Sequence, residues 1–246
     1  MFLKFRPLLY SLIFLLGLEA MISRPDFVFG ASLILLLISF FEGKKIGGKW
    51  IFAILPVFFT LSSVVLLYLI TLPFEQQIFI FISSLMYYLS LFGAFRLGVY
   101  DGDKTARAMN MAAASATIFF MFSGAYGIYL NFLIPVYYLM LTYLITTLLI
   151  SYQYFAIIKK ESQATIWIYS FLLALIMVEL IWTMNFWPFG YLTTGVIALT
   201  LYYILWDLVQ SHFLNLLSRK RVVANMVVFS ILITLVLISS KWFPII

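Results

Sequence analysis

Long, continuous apolar runs follow one another along this chain, and they constrain its fold more than any other feature of the sequence. A helix that crosses about 30 Å of hydrocarbon at 1.5 Å per residue needs roughly 20 apolar residues. The runs do not alternate between apolar and polar residues, as the strands of a transmembrane barrel do. Because only helices and closed barrels satisfy their backbone groups in lipid, the runs predict transmembrane helices.

The composition agrees with this prediction. Hydrophobic residues make up 65% of the 246 residues and charged residues only 10%, and the mean hydropathy is +1.12. A soluble domain has about 25% charged residues, so this chain lacks the polar surface that a water-soluble fold needs. We therefore expect an all-α, polytopic transmembrane helical bundle that forms a single integral-membrane domain over residues 1–246.

Nine helices account for the apolar runs. The predicted helices cover residues 7–22, 27–41, 50–72, 76–99, 109–130, 133–158, 164–184, 189–214 and 222–240. The first two are short, and only Ser23, Arg24, Pro25 and Asp26 separate them. Pro25 disfavours helix at the preceding residue and cannot donate a backbone hydrogen bond, so this segment predicts a tight turn.

Basic residues predict the orientation of these helices, since cytoplasmic segments carry an excess of Lys and Arg. Thirteen of the 15 basic residues fall on one side if all nine helices cross. These are Lys4, Arg6, Lys44, Lys45, Lys49, Arg96, Lys104, Arg107, Lys159, Lys160, Arg219, Lys220 and Arg221. Arg24 and Lys241 fall on the other side. The alternation predicts a cytoplasmic N-terminus and a C-terminus outside.

The net charge of +6 is therefore a topology signal and an attraction to anionic lipid headgroups. We expect the lipid bilayer as a partner, with other membrane proteins or further copies of the chain, and no nucleic acid. The chain has no cysteine, which excludes disulfides and thiolate metal sites. Lys4 and Arg6 before an apolar core resemble the start of a signal peptide. The residues around Ala20 make a poor cleavage site, so we expect an uncleaved first helix.

Small residues mark two helices as candidates for the centre of the bundle, because membrane helices associate where their backbones can approach closely. The fifth helix carries Ala113, Thr117, Gly124 and Gly127 on roughly one face, and the eighth carries Gly190, Thr194 and Ala198 at four-residue spacing. The second and ninth helices are rich in large apolar residues. We expect these two helices to be more peripheral.

Ionisable residues inside predicted helices are costly in lipid and are therefore candidates for function. Three of them form the candidate transport or polar-core set: Glu179, Asp207 and Arg96. A fourth, Glu19, lies about one turn from the outer end of the first helix, where it can snorkel or pair with Arg24.

Glu179 stands out because no basic residue on its own helix can neutralise it. A carboxyl group at this depth is expected to face the interior of the bundle, either protonated or paired with a donor from another helix. The functional interpretation is proton or cation handling. The structural alternative is a buried hydrogen bond to hydroxyl groups of the sixth helix.

Asp207 lies toward the cytoplasmic end of the eighth helix, close to Ser211 and the single histidine, His212. Asp207 and Ser211 are one turn apart, whereas His212 points away, so a Ser-His-Asp triad on this helix has poor geometry. We expect Asp207 to pair with Arg96 or Arg107 on the same side of the membrane.

The loop after the fourth helix runs from Asp101 through Gly102 and Asp103 to Ala106 and Arg107, and it is similar to part of the signature of CDP-alcohol phosphatidyltransferases. That resemblance implies acidic residues that bind metal ions and the CDP phosphates. The spacing between Gly102 and Ala106 is one residue too long, and no Asp follows in the fifth helix, so a two-metal site cannot be assembled here. We interpret the segment as a turn at Gly102 followed by Asp103 or Thr105 capping the next helix.

The C-terminal third resembles a group of uncharacterised polytopic membrane proteins from bacteria with small genomes. The resemblance depends on Glu179, Leu180 and Trp182, on the run Trp187-Pro188-Phe189-Gly190, on Tyr202 and Tyr203, on Arg219, Lys220 and Arg221, and on Lys241 and Trp242. It implies a location in the bacterial cytoplasmic membrane. The group has no assigned activity, so nothing about mechanism follows from it.

Three functions are compatible with the sequence. The first, which we expect, is a non-enzymatic subunit or scaffold of a membrane complex. The second is a small proton- or cation-coupled transporter that uses Glu179. The third is a lipid-modifying membrane enzyme, which requires Asp101, Asp103, Arg107, Asp207 and His212 to converge. The sequence has no motif for a metal or cofactor, so we expect neither, and we assign no catalytic residue.

Overall fold

The computed structural model describes residues 5–132, 134–158, 162–214 and 216–239. These residues form nine α-helices and no strand. The helices are α1 (Arg6–Ser23), α2 (Val28–Gly47), α3 (Ile54–Leu69), α4 (Pro73–Val99), α5 (Lys104–Phe132), α6 (Val136–Ile158), α7 (Gln163–Met184), α8 (Tyr191–Phe213) and α9 (Arg219–Ser239). The prediction of an all-helical chain with nine helices is confirmed for the described residues. Lys4, Leu133, Lys159, Lys160, Ser240, Lys241 and Trp242 lie outside them.

Eight helical segments in the described part of the chain are long and apolar enough to cross a membrane. One of them, Trp50–Leu69, joins α3 to the short 3-10 turn that precedes it. The ninth helix, α2, does not qualify because Glu42, Lys44 and Lys45 lie in its last two turns. This is the architecture of a multi-pass membrane protein.

The helix boundaries follow from residues that start or stop helices. Pro25 begins a short 3-10 turn between α1 and α2, which confirms the predicted tight connection. Gly48 ends α2 with a φ of 74°, a left-handed conformation that glycine adopts without strain. Pro73 is the first residue of α4, where its missing N–H is not needed.

Two compact units divide the chain, and the boundary falls inside α5: one unit includes the residues up to Met121, and the other starts at Phe122. In the first unit, α2 packs against α1, α3 and α4, and α1 also packs against α4. The ring of Phe14 stacks on that of Tyr87 at 4.4 Å, and Phe59 packs beside both. A Cβ atom at Gly43 would lie 2.9 Å from the Cα atom of Ala53, so the glycine allows α2 to approach the 3-10 turn that precedes α3.

The second unit is built by successive packing of α6 on α7, α7 on α8, and α8 on α9. The ring of Phe122, in the last part of α5, stacks on Tyr143 of α6 at 3.8 Å. Phe213 near the end of α8 contacts both Phe155 of α6 and Tyr169 of α7, at 5.3 and 5.0 Å between ring centroids. Aromatic side chains thus join three helices at this end of the unit.

Most of the small residues predicted to pack between helices are buried. The buried ones are Ala113, Thr117, Gly124, Gly127, Thr194 and Ala198. Gly190 is exposed instead and precedes the first residue of α8. In α9, the segment Val222–Ser239 has no buried residue, so its peripheral position is confirmed.

The second helix is less peripheral than we expected. One stripe of α2 is buried, formed by Leu35, Ser39, Gly43 and Ile46. Two of these residues are small and lie four positions apart, which brings one face of α2 against its neighbours. The large apolar residues of the opposite face, which suggested a lipid-facing helix, are exposed.

Candidate functional site

Glu179 differs from its sequence-based expectation. We expected the side chain to face the interior of the bundle, and that expectation is wrong, because Glu179 is exposed on the outward face of α7. The buried face of this helix contains Ala174, Met177 and Ile181 instead. The sequence could not distinguish the two faces, since α7 is apolar all the way round and its pattern marks no inner side.

Five exposed residues form a line along α7 that we call the α7 seam. They are Ile168, Leu172, Leu175, Glu179 and Trp182, and the four apolar members are 59%, 48%, 37% and 49% exposed. Their spacing of four, three, four and three residues keeps them on one side of the helix. Glu179 is the one ionisable member of this seam.

Neither polar group of the α7 seam has a hydrogen-bond partner among the described residues. The Glu179 carboxyl group accepts no bond there, and the indole N–H of Trp182 donates none. Glu179 precedes Met184, the last residue of α7, by five positions, or about 7.5 Å along the axis. An ionised side chain exposed to hydrocarbon costs about 3 kcal/mol or more at the centre of a bilayer and less toward its surface. A donor supplied by another molecule would remove that cost.

Asp207, the second candidate, lies on the buried face of α8 with 8% of its surface exposed. The amide of Asn225 on α9 donates a hydrogen bond of 2.6 Å to its carboxylate. One turn away, the rings of Tyr203 and Phe229 contact each other at 5.4 Å. These two contacts attach α9 to α8, so Asp207 has a structural role between the two helices.

Arg96, the third candidate, forms an ion pair with Asp103 in the loop between α4 and α5. The guanidinium Nε and Nη2 atoms both donate to one carboxylate oxygen of Asp103 at 2.7 Å. The other carboxylate oxygen of Asp103 accepts a hydrogen bond from the N–H of Ala106 at 3.1 Å, which confirms that Asp103 caps α5. These bonds, that of the Ala106 N–H first, hold the pKa of Asp103 below its ordinary value.

The expected pairing of Asp207 with Arg96 or Arg107 is replaced by other partners. Arg96 bonds to Asp103, Arg107 donates to the carbonyl oxygen of Asp101 at 2.7 Å, and Asp207 accepts from an amide. The sequence places all of these groups near helix ends, but it does not say which of them are neighbours. Two of the partners are only a few residues away along the chain, and local pairing of this kind needs little additional ordering.

The remaining polar candidates also have structural partners. His212 shares a hydrogen bond of 3.1 Å with the hydroxyl group of Tyr169. Glu19, for which the sequence left snorkelling or a pair with Arg24 open, accepts a bond of 3.1 Å from the amide of Gln77. Within the described part of the chain, no three His, Asp or Glu side chains come together in a way that could hold a metal ion.

Sequence reasoning missed a group of buried hydroxyls in the first unit, which we call the hydroxyl cluster: Ser39, Thr60 and Tyr87. Ser39 donates to the carbonyl oxygen of Leu35 at 2.8 Å, so its oxygen is left to accept from Thr60 at 2.7 Å and from Tyr87 at 2.8 Å. All three side chains are buried. The cluster joins α2, α3 and α4 by polar contacts inside an apolar core.

Glu42 is an ionisable residue of α2 that the sequence did not mark as a candidate. The predicted second helix ended at residue 41, whereas α2 continues to Gly47 and places Glu42 one turn beyond Ser39 of the hydroxyl cluster. One carboxylate oxygen of Glu42 is buried without a hydrogen-bond partner, and the carboxylate interacts with Tyr10 of α1.

Comparison with known proteins identifies a family. A family described as "Protein of unknown function (DUF5656)" matches residues 26–239, which is most of the chain. No curated protein and no solved structure matches.

Proposed function

Because the chain belongs to the DUF5656 family, whose function is unknown, we propose from its own geometry that it is a non-enzymatic subunit of a membrane complex, and that it binds another membrane helix on the α7 seam. The observation that carries this proposal is the exposure of Glu179 among apolar side chains. In lipid, close packing and interhelical hydrogen bonds drive helix association. A helix that brings a donor to Glu179 gains a hydrogen bond that lipid chains cannot provide.

The geometry gives less support to the other two functions. A transporter that uses Glu179 needs this carboxyl group inside the bundle, whereas the side chain points outward. A lipid-modifying enzyme needs free acids and bases, whereas Asp103 caps a helix and pairs with Arg96, and His212 bonds to Tyr169. We therefore retain the subunit function.

The proposal includes a location in the cytoplasmic membrane of a bacterium, with the N-terminus inside and the C-terminus outside. The distribution of Lys and Arg along the sequence supports this orientation. Arg96, Lys104 and Arg107 lie at or near the ends of α4 and α5 that meet at one loop, as residues of a cytoplasmic connection do.

The test is the size of the assembly extracted from membranes in a mild detergent. We expect the wild-type chain to migrate in a species larger than its 28.4 kDa monomer. Glu179→Leu should weaken the assembly by about 0.6 kcal/mol for each interhelical hydrogen bond that is lost, the average measured value. Glu75→Leu, which replaces an exposed carboxyl group in the first turn of α4, is the matched control and should leave the size unchanged. A strict monomer for the wild type would contradict the proposal.

A further inference from the structure

We propose that the helix bound on the α7 seam is α7 of a second copy of this chain, with the two helices parallel and related by a two-fold axis normal to the membrane. This inference rests on the proposed function and names the partner. It depends on one property of the seam, which is that the seam contains both an acceptor and a donor for the same hydrogen bond.

Glu179 and Trp182 supply these two groups. They lie three residues apart on the exposed side of α7, so they are neighbours on one helical face. A carboxyl group accepts hydrogen bonds, and an indole N–H only donates them. In a two-fold symmetric contact, each interaction that one copy makes with the other is repeated in the opposite direction. Glu179 of each copy can then accept from Trp182 of the other.

The spacing of the seam fits this arrangement. Alternating steps of three and four residues are the pattern of two parallel helices that wind around each other with a left-handed twist. In such a pair, a side chain of one helix enters a hole formed by residues of the other helix, and residues three positions apart border the same hole. The chain orientation is the same for both copies in one membrane, so a parallel pair is the geometry that the seam can use.

Comparison with α9 shows why α7 is the docking surface. The exposed side of α9 includes Val228, Ile231 and Leu235, which are 54%, 55% and 57% exposed. The sequence of residues 222–239 contains no ionisable side chain. Lipid can cover α9 without leaving a carboxyl group unpaired, whereas on α7 it leaves Glu179 unpaired.

The absence of cysteine makes the proposal directly testable, because a single introduced cysteine is then the one thiol of the chain. A disulfide forms only where two Cα atoms come within about 7 Å of each other. Leu175→Cys lies on the seam, one turn from Glu179, and Leu172→Cys is a second seam variant in case the first folds poorly. Leu235→Cys on α9 is the matched control, since it is also an exposed leucine of the second unit.

We expect oxidation in native membranes to convert the two seam variants to a covalent dimer and to leave Leu235→Cys monomeric. Adding Trp182→Phe to Leu175→Cys removes the N–H and keeps an aromatic ring. Because two reciprocal hydrogen bonds are lost, the association should weaken about five- to tenfold. Crosslinking that does not change with Trp182→Phe would overturn the assignment of the donor.

The same experiment separates this inference from the proposed function. If neither seam variant forms a dimer while the chain still migrates in a larger assembly, the partner is a different protein, and the inference of a second copy is wrong. If the chain is also monomeric in mild detergent, both the inference and the proposed function are wrong. Dimerisation of Leu235→Cys to the same extent as the seam variants would show random collision and would also overturn the inference.

Discussion

The hydroxyl cluster illustrates how single residues stabilise a fold whose core is otherwise apolar. Tyr87 of α4 donates a hydrogen bond to Ser39 of α2, and the ring of Tyr87 stacks on that of Phe14. A buried hydroxyl that loses its partner has no water to replace it, so each bond in the cluster stabilises the fold. The sequence does not single out these three residues, because serine and threonine are common wherever membrane helices pack.

Removing the hydroxyl group of Tyr87 should therefore destabilise the first unit. Tyr87→Phe keeps the ring that stacks on Phe14, and we expect the free energy of unfolding to fall by about 1 kcal/mol. Denaturant or thermal unfolding in detergent measures this change. Tyr88→Phe is the matched control, because the adjacent Tyr88 stacks on Phe92 and shows no hydrogen bond within the described residues. Equal stability of Tyr87→Phe and the wild type would contradict the role of the cluster.

Asp103 leads to a prediction about pH, since it lies in a loop outside the membrane-spanning helices. Its pKa is lowered in the folded chain, so the ionised carboxylate stabilises the fold. This contribution is fully present above the unfolded pKa of about 3.9, and it is lost as the pH falls through the lower folded value. Asp103→Asn should lower the melting temperature at neutral pH, and its difference from the wild type should shrink in acid.

Asp101→Asn, in the same loop, is the control for this measurement. The backbone carbonyl of Asp101 accepts from Arg107, and the substitution leaves that carbonyl in place. We expect its melting temperature to follow that of the wild type at every pH. A difference between Asp103→Asn and the wild type that persists at acid pH would mean that the carboxylate charge is not the cause.

At the scale of helices, the sequence predicted which segments are helical but not which faces are inside. The tight turn at Pro25, the capping of α5 by Asp103 and the peripheral position of α9 are confirmed because each follows from a local signal. The expectation that Glu179 of α7 faces the interior was wrong, and the sequence did not predict that one stripe of α2 is buried. Which face of a helix is buried depends on contacts with helices that are distant in sequence. A uniformly apolar helix has no amphipathic pattern that would identify its buried face.

The attachment of α9 leads to a prediction at the same scale. Asn225→Leu removes the hydrogen bond to Asp207, and we expect it to destabilise the docking of α9 by about 1 kcal/mol or more. Faster hydrogen exchange in α9, with unchanged exchange in α6 and α7, is the expected measurement. Thr234→Val is the control, because the bond that the Thr234 hydroxyl makes within the described residues goes to the carbonyl of Ser230 on its own helix. Unchanged protection of α9 in Asn225→Leu would show that ring contacts hold it without the amide.

At the scale of the whole molecule, the apolar runs predicted the number of helices and the class of the protein. The candidate residues Glu179, Asp207 and Arg96 lie in α7, α8 and α4, but the sequence did not predict their surroundings. Arg96 and Asp207 have protein partners, and Glu179 has none within the described chain. Which polar groups meet inside a fold depends on tertiary packing, and one sequence does not determine it by spacing alone.

The central claim is that the α7 seam binds a second copy of the chain through Glu179 and Trp182. The most direct measurement is the native mass of the purified full-length chain in lipid nanodiscs. We predict a particle with twice the 28.4 kDa mass of one chain for the wild type, and a shift toward the monomer for Glu179→Leu. A wild-type chain that stays monomeric across the concentrations at which nanodiscs can hold two copies would contradict the claim.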